Sequence, residues 1–177
     1  MIRNESKETI KDLKIINKNV VMLTGDNSLV ADIVAKELGI DRVYSNVLPG
    51  EKEDFIVNEK KNNFVMMVGD GINDAIALSS SHIGVSINTG SNIATDSSDV
   101  ILLSGIKKIP KLMEISKKTI KIIKQNFFWA FIYNILLIPV AIGMFKEFGV
   151  SITPGFSSIF MTISSLFVVL NSLRLKK

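Results

Sequence analysis

The sequence predicts an α/β domain on a parallel sheet, followed by two helices that cross a membrane as a hairpin. Three observations predict it. Short apolar runs alternate with segments of helical spacing through the first part of the chain. One of those runs, Phe64–Val68, ends in a glycine-rich turn that carries two carboxylates, Asp70 and Asp74. The last third holds two long stretches without a charge.

The elements follow in order. Ser6–Asn17 has apolar residues at Ile10, Leu13 and Ile16, the spacing of a helix. Val20–Leu23 reads as a buried strand ending in Thr24-Gly25-Asp26. Ser28–Leu38 is a helix with Val30, Ile33, Val34 and Leu38 on one face, and Gly39 stops it. Arg42–Ser45 is a short strand. Pro49–Gly50 marks a turn before a helix over Glu51–Lys60 that carries Phe55, Ile56 and Val57. Phe64–Val68 is continuous and apolar, as in a strand buried on both faces. A helix over Ala75–Ser80 and strands at Ile83–Val85 and Val100–Leu103 complete the domain.

The turn after Phe64–Val68 is where chemistry is expected. Gly69 and Gly71 allow approaches that a Cβ would block. Ligands of open α/β sheets bind beyond the carboxyl ends of the strands. Asp70 and Asp74 stand there, with Asn73 before the next helix. Two carboxylates suit Mg²⁺, a hard cation that keeps several waters. The alternative is a helix cap with solvated acids. His82, the only histidine, is expected to be structural or solvated, with no partner visible in the sequence.

At Pro110 the pattern changes, and Pro suits a first helical turn. Lys111–Gln125 mixes lysines with Leu112, Ile115, Ile120, Ile122 and Ile123, then runs without a turn signal into Phe127–Phe145. That run is about 19 uncharged residues, and Val150–Leu173 is about 24, each long enough to span a bilayer. Lysines up to Lys124 precede the first run, and Arg174, Lys176 and Lys177 follow the second. The positive-inside rule therefore puts both outer ends in the cytoplasm and Lys146–Gly149 outside, with Phe127, Phe128 and Trp129 at the inner interface. The alternative is two core helices of a soluble protein. Within the runs, Met161 and Ser165 share a helix face. A thioether favours a soft cation such as Cu⁺. No Asp, Glu or Lys lies in either run, which disfavours a site for a hard ion. Met161 as packing and Asn or Ser as helix glue is the competing reading.

Composition excludes several classes. The 177 residues are 47% hydrophobic with net charge +4, and the excess of apolar residues falls in the last third. No Cys is present, so disulfides, thiolate metal sites and thiol redox centres are excluded. No aromatic residues are interleaved with the basic ones to stack on bases, so nucleic acid is not an expected partner. MIRNESKETI is polar and charged, unlike a signal peptide.

Thr24–Asp26 (TGD), Pro49–Lys52 and Gly69–Asp74 (GDGIND) resemble, in order and spacing, the second half of the phosphorylation domain of P-type ATPases. Asn126-x6-Tyr133-Asn134-x4-Pro139 and Pro154-x6-Met161-x2-Ser164-Ser165-x5-Asn171 resemble the last two membrane helices of the copper(I)-exporting, heavy-metal subclass. The resemblance covers nearly the whole chain. It implies a partial haloacid-dehalogenase-like sheet over 1–106, a basic stalk helix over 107–125 and two transmembrane helices over 126–177. It also implies roles. Thr24 and Lys52 would contact the phosphoryl group. Gly25 and Asp26 would shape a loop that meets the actuator domain. Asp70 and Asp74 would serve Mg²⁺, and Asp74 with Asn73 would hold the metal-bound network or the phosphate in place. Tyr133, Asn134, Met161 and Ser165 would contribute to an intramembrane Cu⁺ site, with Ag⁺ the chemically close runner-up. ATP would be the substrate of the intact enzyme. The membrane, and the remaining part of a pump or a full-length pump, would be the partners.

The chain departs from that family in one large respect. The motif DKTGT, which carries the phosphorylated Asp, is absent, as are the actuator's TGE and a Cys-Pro-Cys helix. Ile76 stands where the family usually has Pro, and Ser91-Asn92 where many members have Thr-Asp. The expectation is a fragment or truncated gene of a Cu⁺-exporting pump, inactive alone because covalent catalysis needs the nucleophile. The alternatives are a non-catalytic membrane remnant or regulatory subunit docking on a full-length pump, and a membrane-tethered phosphatase.

Overall fold

Apolar runs become strands, and helices follow β1, β2 and β3 in chain order, in the computed structural model, which describes residues 4–70, 73–87, 96–144, 147 and 154–176. Gly71, Ile72, Ser91-Asn92 and most of the connection expected at Lys146–Gly149 lie outside the described residues. The chain divides into two units, Met1–Lys111 and Leu112–Lys177.

In the first unit, Val21–Leu23 (β1) pairs in parallel with Arg42–Tyr44 (β2). Met66–Gly69 (β3) pairs in parallel with Ile83–Ile87 (β4), and β4 with Val100–Leu102 (β5). The helices are Asn4–Ile15 (α1), Ser28–Leu38 (α2), Pro49–Lys60 (α3) and Ala75–Ser80 (α4). The strands thus form two parallel sheets, ordered β1-β2 and β3-β4-β5. Parallel neighbours need a crossover, which α2 supplies between β1 and β2 and α4 between β3 and β4.

Three expectations are corrected. Pro49 is not in a turn but opens α3. Its fixed φ suits a helix, and its missing N–H had no intrahelical acceptor to lose. Phe64 is not in a doubly buried strand; it is 74% exposed, outside β3, and stacks on His82 with centroids 4.5 Å apart. In α2 the buried residues are Ala31 and Ala35, while Val30 and Ile33 are exposed. Small side chains let that helix lie close to its neighbours, so the larger ones turn outward. Gly39 does stop α2, at φ +72, where a Cβ would be strained.

The core of this unit gathers Ile56 of α3, Met67 of β3 and Ala77 and Leu78 of α4, with Leu23 and Val65 packed against them. Gly84 makes the close approach possible: a Cβ there would stand 2.8 Å from the Leu78 carbonyl oxygen. Lys60 Nζ donates to the Ser80 carbonyl at 2.6 Å, and Ser80 Oγ to Glu53 Oε1 at 3.0 Å, tying α3 to α4. Asp99 braces β4 at both ends of one peptide group pair, accepting Gly84 N–H at 2.8 Å and donating its own N–H to Gly84 O at 2.9 Å.

In the second unit the main elements are two long helices. Ile109–Ala141 (α5), whose first residues still belong to the first unit, runs unbroken through Pro139. It stops before the expected Phe145 because Gly143 takes φ +80. The Gly143 N–H then donates to Val140 O and the Met144 N–H to Pro139 O, a Schellman closure. Pro154–Ser172 (α6) is followed by a 3-10 turn at Leu173–Lys176. Both helices are long and apolar enough to cross a membrane, and the apolar windows are 6% and 0% buried. Core helices of a soluble protein bury such surface, and little of it is buried within this chain.

Near Gln125 of α5 and Asn171 of α6 the two helices are joined by hydrogen bonds. Asn171 Nδ2 donates to Asn126 Oδ1 at 2.8 Å and to Gln125 Oε1 at 3.3 Å. Asn126 Nδ2 donates to Ser172 Oγ at 2.9 Å, and Arg174 Nη1 to Asn171 Oδ1 at 3.1 Å. The start of one apolar segment thus meets the end of the other, so the pair is antiparallel.

Candidate functional site

The soluble site is built where strands end. Thr24 follows β1, and its N–H donates to Tyr44 O at 3.0 Å while its own carbonyl accepts Val47 N–H at 3.0 Å. Its Oγ1 donates to Asp26 Oδ2 at 2.9 Å and accepts Asp26 N–H at 3.1 Å. Such a local turn holds the hydroxyl at the strand end. Gly25 faces the Val47 carbonyl oxygen, 3.5 Å from where a Cβ would sit.

Lys52 lies in the first turn of α3. That turn is held by Glu51 Oε2, which accepts Leu48 N–H at 2.9 Å. Lys52 Nζ reaches Asp74 Oδ1 at 2.7 Å, with side chains only 15% and 13% exposed. Asp74 precedes α4, and its carbonyl accepts Leu78 N–H at 2.8 Å. Two motifs far apart in sequence are therefore brought into one ion pair. Gly69 is the reason Asp74 fits: a Cβ at 69 would stand 2.5 Å from Asp74 Oδ2 and 2.9 Å from its Cβ. Asp70 and Asn73 are exposed beside it. Ile76 is exposed in the first turn of α4, so its replacing Pro leaves the helix start intact.

Among the described residues no cluster of three His, Cys, Asp or Glu side chains gathers. The carboxylates at this strand end are those of Asp70, exposed, and Asp74, whose Oδ1 meets Lys52. The glycine cradle for Asp74 and an all-oxygen donor set fit Mg²⁺, which takes one or two protein carboxylates and completes its shell with water and phosphate.

In the second unit the candidate residues are placed by the Asn126–Asn171 contact. Antiparallel helices rise equally, about 1.5 Å per residue. From that contact Tyr133 lies level with Ser164 and Asn134 with Ile163, with Ser165 about 3 Å nearer the contact than Asn134 and Met161 about 4.5 Å beyond Tyr133. Asn134 Nδ2 donates to Ala130 O at 2.8 Å, and Ser165 Oγ to Met161 O at 3.1 Å. Met161 is 58% exposed and Tyr133 half-buried. No hydrogen bond of Tyr133 or Asn134 to α6 is found among the described residues.

Sequence reasoning missed two features. His82 does have a partner: its Nδ1 accepts Val65 N–H at 3.1 Å, and its ring covers Phe64. Ser172 and Gln125 join the polar link between α5 and α6. The signal was available, since amides at the outer ends of two apolar runs are costly unless they meet.

Residues 1–82 match the family model described as haloacid dehalogenase-like hydrolase. A copper-exporting P-type ATPase of Staphylococcus epidermidis is 45% identical over 99% of this chain. Copper-transporting ATPase 1 of Rhizobium meliloti is 43% identical, and a probable copper-exporting P-type ATPase of Archaeoglobus fulgidus 38%, each over 99% of the chain. The chain spans 22% of the length of each of these relatives. Among solved structures, a zinc-transporting PIB-type ATPase in its E2.Pi state matches with TM-score 0.87 at 27% identity, covering 100% of this chain and 28% of that one. The catalytic domain of a CPx-ATPase matches with TM-score 0.56 at 34% identity, over 63% of this chain and 44% of that one. Likeness along its whole length, a parallel α/β domain and two membrane-length helices make this chain a homologue of the copper-exporting P-type ATPases, with a haloacid-dehalogenase-like fold in its first unit.

Proposed function

We propose that the chain acts as one segment of an ATP-driven Cu⁺ exporter. Residues 1–106 would supply half of the phosphorylation domain, 107–125 the stalk, and 126–177 two membrane helices with part of the Cu⁺ site. The observation that carries this reading is the Lys52–Asp74 pair at 2.7 Å beside a bare Gly69. It gathers a cation and a carboxylate at a strand end, where phosphoryl groups are handled.

Thr24 Oγ1 would donate to a phosphoryl oxygen, and Lys52 would hold positive charge against the oxygens as negative charge develops. Asp70 and Asp74 would hold Mg²⁺, which supplies further charge neutralisation when bound. Lys52 also holds the Asp74 carboxylate in place. The acceptor carboxylate must come from elsewhere, since DKTGT is absent. The sheets support a place for it. β1 and β3 each keep one edge without a strand partner among the described residues. Leu23 of β1 and Met67 of β3 reach the same core. A parallel strand laid between those edges would carry its terminal Asp toward Thr24, Lys52 and Asp70. That Asp would take the γ-phosphoryl of ATP and later lose it to water.

The cargo follows from donor chemistry. The membrane-length segments hold thioethers, hydroxyls and amides but no carboxylate. That set favours Cu⁺ or Ag⁺ over the zinc of the similar zinc-transporting PIB-type ATPase. The basic outer ends of the apolar segments support a cytoplasmic location for both.

The test is reassembly. The chain is co-expressed with a pump segment bearing DKTGT, and Cu⁺-stimulated ATP hydrolysis and phosphoenzyme are measured in membranes. Activity is expected to need this chain and to be lost in Asp70→Asn and Met161→Leu. Activity indifferent to both substitutions would overturn the assignment.

A further inference from the structure

We propose that one face of α5, at the point where it enters the membrane, binds the headgroups of anionic phospholipids. The inference rests on the membrane reading above but goes beyond it. Lys117, Ile120, Lys121, Lys124, Gln125 and Phe128 line one shallow surface groove. At about 100° per residue, Lys117, Lys121 and Lys124 fall within an arc of about 60°, with Phe128 beneath its centre. All three lysines and Phe128 are exposed. The stripe lies about 180° round the helix from Asn126, the residue that meets α6. The hairpin contact therefore leaves it uncovered.

The charges on that face are unbalanced. The only acid in α5 is Glu114, and Lys118 holds it at 2.7 Å. Lys117, Lys121 and Lys124 have no ion-pair partner among the described residues. Three like charges within two turns repel one another and favour an anion.

The geometry selects the anion. Lys117 to Lys124 covers about 10 Å of helix axis, close to the depth of a headgroup layer. The apolar segment begins at Phe127, less than one turn below Lys124. Phe128 and Ile120 give acyl chains and glycerol an apolar surface under and beside the cations. A lipid phosphate over the lysines with its chains along Phe128 satisfies both halves of the groove. A free phosphate satisfies only one.

Trp129, the chain's only tryptophan, sits one residue beyond Phe128 and reports on neighbouring lipid. The full chain is reconstituted into vesicles of equimolar phosphatidylcholine and phosphatidylglycerol, with bromine on the acyl chains of one lipid or the other. Brominated phosphatidylglycerol is expected to quench Trp129 more strongly, equivalent to about a fivefold preference, falling towards one at high salt. Lys117→Gln/Lys121→Gln/Lys124→Gln is expected to abolish the preference. Lys7→Gln/Lys11→Gln/Lys36→Gln, which removes the same charge from the first unit, is expected to keep it.

Equal quenching by the two lipids in the native chain overturns the proposal, as does loss of preference in both triple variants. Equal quenching with binding of a polyglutamate peptide that the stripe variant loses assigns the face to an acidic polypeptide instead, and also overturns it. Quenching by neither lipid rejects the membrane reading itself, which separates the two failures.

Discussion

The two units use the same side-chain types in opposite places. In the first, Ile56, Met67, Ala77 and Leu78 are inside, and the charged residues that matter, Lys52 and Asp74, sit at the rim of that core. In the second, Phe127, Phe131, Ile135 and Leu136 are exposed, while the amides of Asn126 and Asn171 face each other. Water rewards hiding apolar surface. A bilayer offers no such reward, so helices there associate through packing and interhelical hydrogen bonds. Apolar content alone therefore does not say where a residue goes; the surrounding solvent decides it.

That contrast can be broken at several points. The largest effect is expected at the ion pair. Lys52→Ala or Asp74→Ala, in the reassembled pump, should cut phosphoenzyme formation by about 100-fold or more, measured by incorporation of labelled phosphate. The exposed Lys36→Ala should leave it unchanged. Next comes steric room. Gly69→Ala forces a Cβ into Asp74 and should cost about 1–3 kcal/mol in denaturant unfolding of the first unit. Gly50→Ala, which meets nothing within 4 Å inside α3, should stabilise by about 0.5 kcal/mol. Opposite signs from the same chemical change would tie the cost to the Asp74 contact; equal signs would remove that explanation.

Smaller effects are expected in the second unit. Met161→Leu keeps volume but loses the thioether, so Cu⁺ affinity should fall about tenfold with little change in helix content by circular dichroism. Asn171→Ala should weaken the helix pair by only about 0.6 kcal/mol. Its sharper readout is register. Oxidative cross-linking of Tyr133→Cys with Ser164→Cys should be efficient in the parent chain, which has no other Cys, and drop when Asn171 is Ala. Unchanged cross-linking would mean that packing, not the amides, sets the level of the two helices.

Most element types were legible because their signals are local. Ser28–Leu38 and Ala75–Ser80 fall on α2 and α4 as expected. Errors came where a neighbour overrides a local signal. Val30 and Ile33 match a helical apolar stripe, yet α2 turns Ala31 and Ala35 inward, a choice made by the distance to adjacent elements. Phe64 extends an apolar run, yet β3 begins at Met66 and Phe64 finds His82 instead. The candidate site was legible as residue types at strand ends; the Lys52–Asp74 pairing was not, because it joins α3 to the start of α4.

By itself, then, the order of residues determined the alternation of strands and helices, the two membrane-length segments and the carboxylates at a glycine turn. These depend on periodicity, hydropathy and backbone freedom, which act between residues close in the chain. Only the tertiary structure decided which face of α2 is buried, that Asp74 rests against Gly69 and Lys52, and that Asn126 meets Asn171. Those outcomes depend on distances between residues far apart in the chain, where a few tenths of an ångström separate a contact from a clash.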